Sequence, residues 1–538
     1  MKINSGILIM ALIVIPLLSN TPAAGQYNNY SRMTQIIKNL ESEYSSVCSA
    51  RSLVKTAGGK DIWLLSVGTG DRDNKPAIAI IGGVEGNHIL GKELALGFAS
   101  SLLKEHQTPE VRDLLNRLTF YIIPDVSPDA TEQFFAGLKY ERILNARPVD
   151  DDRDFSVNED PFEDLNRDGY ITQVRIKDPS GSYMESPEDK RIMVIADLAE
   201  GQTGSWLVIS EGIDNDKDGK FNEDGEGGVC FNRNFSFNYE EFGPGAGLHA
   251  VSEPESKAVA DFLFDRFNIY ATFSFGPQDN LGQPMKASDR PAQGRMITSI
   301  TKSDEAINKL VSDKYHEITG AKGAPTAPIS RGNFMEWAYY HYGRYSFSTP
   351  GWWFPVEKSK NTEAAFLKFA EKNKMNDVFV PWTAINHPDF PGKLAEVGGI
   401  KPFAMNNPPA DSLPDLINAN YRFIKAIAEL HPELEFLDLK TENPGEDVYR
   451  ISLKVHNKGI FATCAEVGNQ NIWTRIMRIT VEPSKGQTIL SGQKVQRIPR
   501  LGGDQSEEFS WLISGKGNVT IKAGAINTGT ITATINLR

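Results

Sequence analysis

The residues most openly suited to chemistry are acids in short runs. Asp164-Leu-Asn166-Arg-Asp168-Gly169 and Asp214-Asn-Asp216-Lys-Asp218-Gly219 both follow the pattern D-x-[DN]-x-D-G. Acids at alternate positions let one turn aim several oxygens at a common point, and the glycine permits the sharp bend. That donor set suits a hard cation, so the spacing predicts structural calcium at both loops. Asp150, Asp152 and Asp154 repeat the spacing, with Phe155 where the glycine would stand. Neither full match has Glu at its twelfth position, which excludes an ordinary EF-hand. Solvated acidic turns are the competing reading. Cys48, Cys230 and Cys464 are odd in number and widely spaced. They read as free thiols, not as a disulfide framework.

Such side chains need elements to hold them. Ile78-Ala-Ile-Ile-Gly-Gly83 is an apolar run ending in glycines, as a buried strand does on reaching a loop. Leu118 to Pro124 and Ile269 to Phe275 are two further strands. His88 to Lys104 and Pro254 to Phe267 have helical spacing, the second with proline near its first turn. Strands alternating with helices predict an α/β layer fold, whose ligand sites gather at the carboxyl ends of the strands. The loops after Gly83, Pro124 and Phe275 are therefore where chemistry is expected. Ala410 to Leu430 reads as a closing helix. Beyond it, Tyr449–Val455, Thr474–Val481, Phe509–Ile513, Val519–Ala523 and Thr530–Leu537 are short and often alternating, which predicts an all-β sandwich over 432–538.

The 538-residue chain is long enough for more than one domain and for a substantial core. Its formal charge of −12 argues against nucleic acid as a partner. Lys2, the apolar stretch Ile7 to Leu18 and the small residues from Thr21 to Gly25 read as a signal peptide over 1–25. The mature chain is expected to be secreted or periplasmic, with no transmembrane segment.

Several motifs then fall in a telling order. Gly82-Gly-Val-Glu-Gly-Asn-His88, Ser127-Pro-Asp129, Phe231-Asn-Arg-Asn-Phe235, Ser252-Glu-Pro-Glu255 and Gly332 to Tyr339 each resemble a motif of the zinc carboxypeptidases, the carboxypeptidase A-like metallopeptidases. The resemblance runs over about 27–430 and implies a mixed sheet flanked by helices over 26–431. The acidic stretch at about 148–228 is similar to insertions in bacterial members.

The resemblance also implies where zinc and its catalytic partners would lie. Its His-x-x-Glu pair corresponds to Glu85 and His88, in reversed order. Its third zinc ligand corresponds to Gly276 and its catalytic Glu to Pro350, neither of which offers a donor or a base. Asp279 is a reserve oxygen donor and Glu336 a reserve acid. The carboxylate-gripping pair corresponds to Asn232 and Arg233. The arginine that polarises the scissile carbonyl corresponds to Arg142, with Arg147 its rival. No tyrosine stands at the substrate-capping position, Ala324-Pro-Thr-Ala-Pro328. The expected function is binding of a peptide, or a cell-wall-type peptide, by its free C-terminal carboxylate, without catalysis. A working zinc carboxypeptidase using Glu85, His88 and another ligand is the second reading. A protein-interaction scaffold is the third.

Overall fold

The computed structural model describes residues 26–150, 155–158, 160–217, 219–222, 225–288, 297–356 and 361–538. The signal-like segment and Asp152, Asp154 and Asp218 lie outside the described residues.

A six-stranded mixed sheet organises the first part of the chain. Its order is Cys48–Lys55, Asp61–Val67, Thr119–Ile123, Ala77–Ile81, Ile269–Phe275, Tyr345–Thr349. The first two strands pair antiparallel, and the last four run parallel. All four parallel strands are buried along their whole length, which is why they read as unbroken apolar runs. Ala77–Ile81 has its successor in sequence on one side and Ile269–Phe275 on the other. The chain order therefore reverses there, opening a crevice at the carboxyl ends of these two strands.

Helices cover both faces. Ile89–Lys104 packs against Leu413–Ala428 in one core with Ile78, Ile80 and Phe273. Gly97 permits the close approach, since a Cβ there would stand 2.6 Å from Ile417 Cγ2. The opening helix, Tyr30–Glu43, is anchored just before its start. Asn28 donates from its backbone and its side chain to Glu93, at 2.7 and 2.6 Å, while buried Lys92 donates to the Asn28 carbonyl.

The acidic stretch is more than a set of loops. Gln173–Lys177, Tyr183–Glu185, Met193–Ile195 and Trp206–Ser210 join Phe379–Ile385 and Ala395–Ile400 in a second six-stranded sheet, antiparallel throughout. Four of these strands have only three to five residues around a small core of Val174, Ile176, Ala395 and Val397. Strands that short give little periodicity to read.

The C-terminal region is a sandwich of two four-stranded antiparallel sheets closed over Ile451, Leu453, Ile479, Trp511, Ile513 and Ile521. It is docked on the first part. Asp304, almost fully buried, accepts from the backbone N–H of Glu466 at 2.9 Å and from Tyr339 Oη at 2.9 Å. Arg344 donates to the Trp473 carbonyl at 2.8 Å. The expected fold, a carboxypeptidase-like mixed sheet flanked by helices and followed by an all-β sandwich, is thus the one observed.

Candidate functional site

A cleft of about 720 Å³ opens at the switch point of the mixed sheet. Its floor comes from the loops that follow three parallel strands: Glu85 and His88, Pro277 and Gln278, and Pro350. Trp352, Trp353 and Phe354 form one wall, with Pro325, Pro328 and Ile329 among the other lining groups.

The floor is knitted together. His88 Nε2 lies 3.0 Å from the Pro350 carbonyl oxygen, so the ring donates there and its Nδ1 is buried without a hydrogen-bond partner. Burial pushes the imidazole down to about 4, which keeps it neutral. Glu85 is equally engaged. Asn232 Nδ2 donates to its Oε2 at 2.9 Å, and the Cys230 thiol lies 3.8 Å from its Oε1. Burial raises the Glu85 carboxyl, partly offset by Asn232 and the Arg233 charge.

Asn232 is a buried hub behind the cleft floor. It donates to Gln278 Oε1 at 2.6 Å as well as to Glu85, and accepts from the Phe334 N–H at 3.1 Å. Arg233, by contrast, lines the cleft. Its Nη1 donates to the Pro244 carbonyl at 2.9 Å, and it forms no ion pair among the described residues. Gln278 Nε2 is buried without a hydrogen-bond partner among the described residues.

The remaining expected site residues point elsewhere. Arg142 is buried away from the cleft, with Glu226 at 3.4 Å and the carbonyls of Leu144 and Asn145 as its partners. Arg147 pairs with Glu253 at 2.6 Å. Asp279 turns into its own loop, accepting from the N–H groups of Leu281 and Gly282 at 2.9 and 2.7 Å. Burial raises its carboxyl to about 6. Glu336 accepts from Asn333 Nδ2 at 2.7 Å. With Asp279 it lines an adjoining cavity of about 570 Å³ instead of the cleft.

A zinc ion does not fit these residues. A Cβ on Gly276, where the third ligand was expected, would meet Val84 Cγ2 at 2.1 Å, so that position lacks a donor and its side-chain space is filled. Pro350, where the base was expected, presents only a carbonyl, and His88 already occupies it. Two donors, one of them held by Asn232 and Cys230, fall short of the three or four that protein zinc sites use.

The acidic loops close on themselves. The Asp168 N–H donates to Asp164 Oδ1 at 3.1 Å and the Gly169 N–H to Asp164 Oδ2 at 2.7 Å. Gly169 has φ +84°, the bend that the sequence pattern predicted. In the second loop Asp214 Oδ2 accepts from the Gly219 N–H at 3.1 Å. Asp216 has partners of its own. In the third stretch Asp150 accepts from the Phe155 N–H at 3.0 Å. Among the described residues no group of three or more His, Cys, Asp or Glu side chains is arranged to hold a metal, and nothing in the geometry supports the expected calcium. The three cysteines are free thiols, Cys48 and Cys230 buried and Cys464 partly so.

Sequence reasoning missed Gln278, Val84 and the aromatic wall. The run Trp352-Trp-Phe354 directly after a strand's carboxyl end was a usable signal. Val84 was not, because its role depends on a residue almost two hundred positions away.

Comparison with known proteins bears on the family. A family model described as zinc carboxypeptidase matches residues 33–355, and one described as a domain of unknown function matches 433–536. Carboxypeptidase Z of Gallus gallus is 25% identical over 151 residues, which are 27% of this chain and 23% of that protein. Carboxypeptidase D of Homo sapiens is 27% identical over 139 residues, 25% of this chain and 10% of that protein. The chain thus spans less than a quarter of the length of these curated relatives. Among solved structures, thrombin activatable fibrinolysis inhibitor aligns with a TM-score of 0.43 at 14% identity, covering 75% of this chain and 74% of that one. Carboxypeptidase A from Helicoverpa armigera aligns at 0.42 and 13%, covering 76% and 74%. No described helix is long and apolar enough to cross a membrane. The family model covers more than half of the chain, and the chain belongs to the zinc carboxypeptidase family.

Proposed function

We propose that this is an exported, non-catalytic member of the family that holds a peptide by its free C-terminal carboxylate, in a cleft suited to a bulky apolar end residue. One observation carries the reading. At the bottom of the cleft the expected metal and base positions are taken up by internal contacts, while the Arg233 guanidinium, bonded to the Pro244 carbonyl, forms no ion pair among the described residues. A planar guanidinium matches a carboxylate in geometry and charge. Gln278, on the cleft floor, keeps its Nε2 buried without a hydrogen-bond partner among the described residues. Trp352, Trp353 and Phe354 supply apolar surface for the side chain beside that carboxylate. The Lys2 start and the apolar stretch 7–18 support export, where cell-wall-type peptides are within reach.

The test uses the mature chain and a short peptide ending in phenylalanine, as free acid and as amide, with and without added zinc. The expected result is tighter binding of the free acid, unaffected by zinc, with no release of phenylalanine. Equal binding of the two peptides overturns the carboxylate reading. Zinc-dependent release that disappears in Arg233→Ala overturns the non-catalytic one.

A further inference from the structure

The sandwich carries a concentration of positive charge that the cleft does not use. Antiparallel pairing of Arg478–Pro483 with the edge strand Val495–Arg497 sets Arg478 directly opposite Arg497. Ile479 and Val481 point into the core, so Arg478 and its partner lie on the outer face, and both are exposed. Like charges directly opposite each other cost stability, so the pairing needs a reason. Arg475 and Lys494 are exposed close by in sequence, and the Arg475 guanidinium lies 3.7 Å from the centre of the Phe267 ring. Among the described residues none of these four cations has a carboxylate partner. Arg500 differs, being fixed by Asp304 and Glu466. Four unpaired cations on one edge of a chain with formal charge −12 are not its average surface.

Two hollows meet at this edge. One, of about 540 Å³, is lined by Arg478, Arg497, Gln493 and Gln496. The other, of about 290 Å³, takes in Arg497, Arg475, Asn469 and Thr474. Arg497 belongs to both, so the charges follow a track and do not surround one point. Amide and hydroxyl groups lie between them. Neither hollow is lined by an aromatic ring on which a nucleic-acid base could stack. We propose that this edge of the sandwich binds an acidic polysaccharide. Arg475, Arg478 and Arg497 would meet successive carboxylate or sulfate groups, and Gln493, Gln496 and Thr474 the sugar hydroxyls. Guanidinium forks suit such planar or tetrahedral oxyanions, and each anion placed between Arg478 and Arg497 also relieves their repulsion. The proposal is independent of the reading of the cleft.

The experiment measures binding of the mature full chain to polygalacturonate, dextran sulfate, uncharged dextran, inorganic phosphate and a single-stranded DNA oligomer. Both acidic polysaccharides should bind in a salt-sensitive way and raise the melting temperature. Arg478→Ser/Arg497→Ser should weaken that binding at least tenfold. Arg450→Ser, an exposed arginine on the other sheet, should leave it unchanged. Without ligand the double variant should melt no lower than the parent, because it removes a like-charge pair; this separates lost binding from lost folding. Equal binding of uncharged dextran, equal binding of DNA, saturation by phosphate alone, or undiminished binding by the double variant would each overturn the proposal.

Discussion

Arg233 lines the cleft without an ion pair among the described residues, although its charge acts on Glu85, and its availability is testable. Arg233→Ala should weaken a free-acid peptide by about 1.5–3 kcal/mol and an amidated one hardly at all, read by calorimetry. Gly276 gives a second test at the same scale. Gly276→Ala should destabilise the fold by about 1–3 kcal/mol, because the added carbon lands on Val84 Cγ2. Adding Val84→Ala should recover part of that loss, so the two changes should be non-additive in denaturant unfolding. Restoring the zinc ligands without changing Val84 should therefore fail. Glu255 supplies a pH test. Burial, with Asp129 and Glu253 nearby, pushes its carboxyl up to about 7, and its Oε1 has no hydrogen-bond partner among the described residues. A raised folded value means the native state binds the proton more tightly than the unfolded one. The group therefore favours folding at low pH and opposes it as pH rises through 7. Glu255→Gln should raise the melting temperature at pH 8 by more than at pH 5; an equal shift at both would refute the argument.

At the scale of elements, the acidic loops are held by a buried glutamate. Glu211, at the end of Trp206–Ser210, accepts from the Leu165 and Thr172 N–H groups, both at 2.9 Å. It thereby fastens the first acidic loop to the second sheet. Glu211→Ala should leave one buried and one partly buried donor unsatisfied and cost about 2–4 kcal/mol in denaturant unfolding. Since the loop carboxylates already accept from their own backbone, a chelator should leave the melting temperature unchanged. A rise on adding calcium would reinstate the expectation drawn from the spacing.

Across the whole molecule, the sandwich and the mixed sheet share buried contacts. Phe461 belongs to the same core as Ile78, Phe273 and Phe347, and Asp304 holds the Glu466 N–H. Asp304→Ala should therefore cost about 3 kcal/mol and loosen both parts together, since it strips a buried acceptor from Glu466, Tyr339 and Arg500. Deleting 432–538 should leave an aggregation-prone remainder, because Phe461 and the rest of its covering would go with it. A monomeric, unchanged remainder on size-exclusion chromatography would show the contact to be dispensable.

Much of this protein was written locally. The parallel strands, the helix from Ile89 and the sandwich strands at 448–457 and 517–525 follow from apolar runs, helical spacing and alternation, because each answers to burial of its own face. The motif order told the family, and the resemblance placed its metal and base positions on the residues at 85, 88, 276 and 350. Local pattern could not say which of two neighbouring residues would face the cleft. Asn232 and Arg233 are adjacent, yet one is sealed behind the cleft floor and the other faces the cleft. That outcome, the seal of Val84 on Gly276 and the bond from His88 to the Pro350 carbonyl depend on strands distant in sequence ending side by side. Side-chain chemistry alone lists possible partners; only the packing of those ends decides which partners meet.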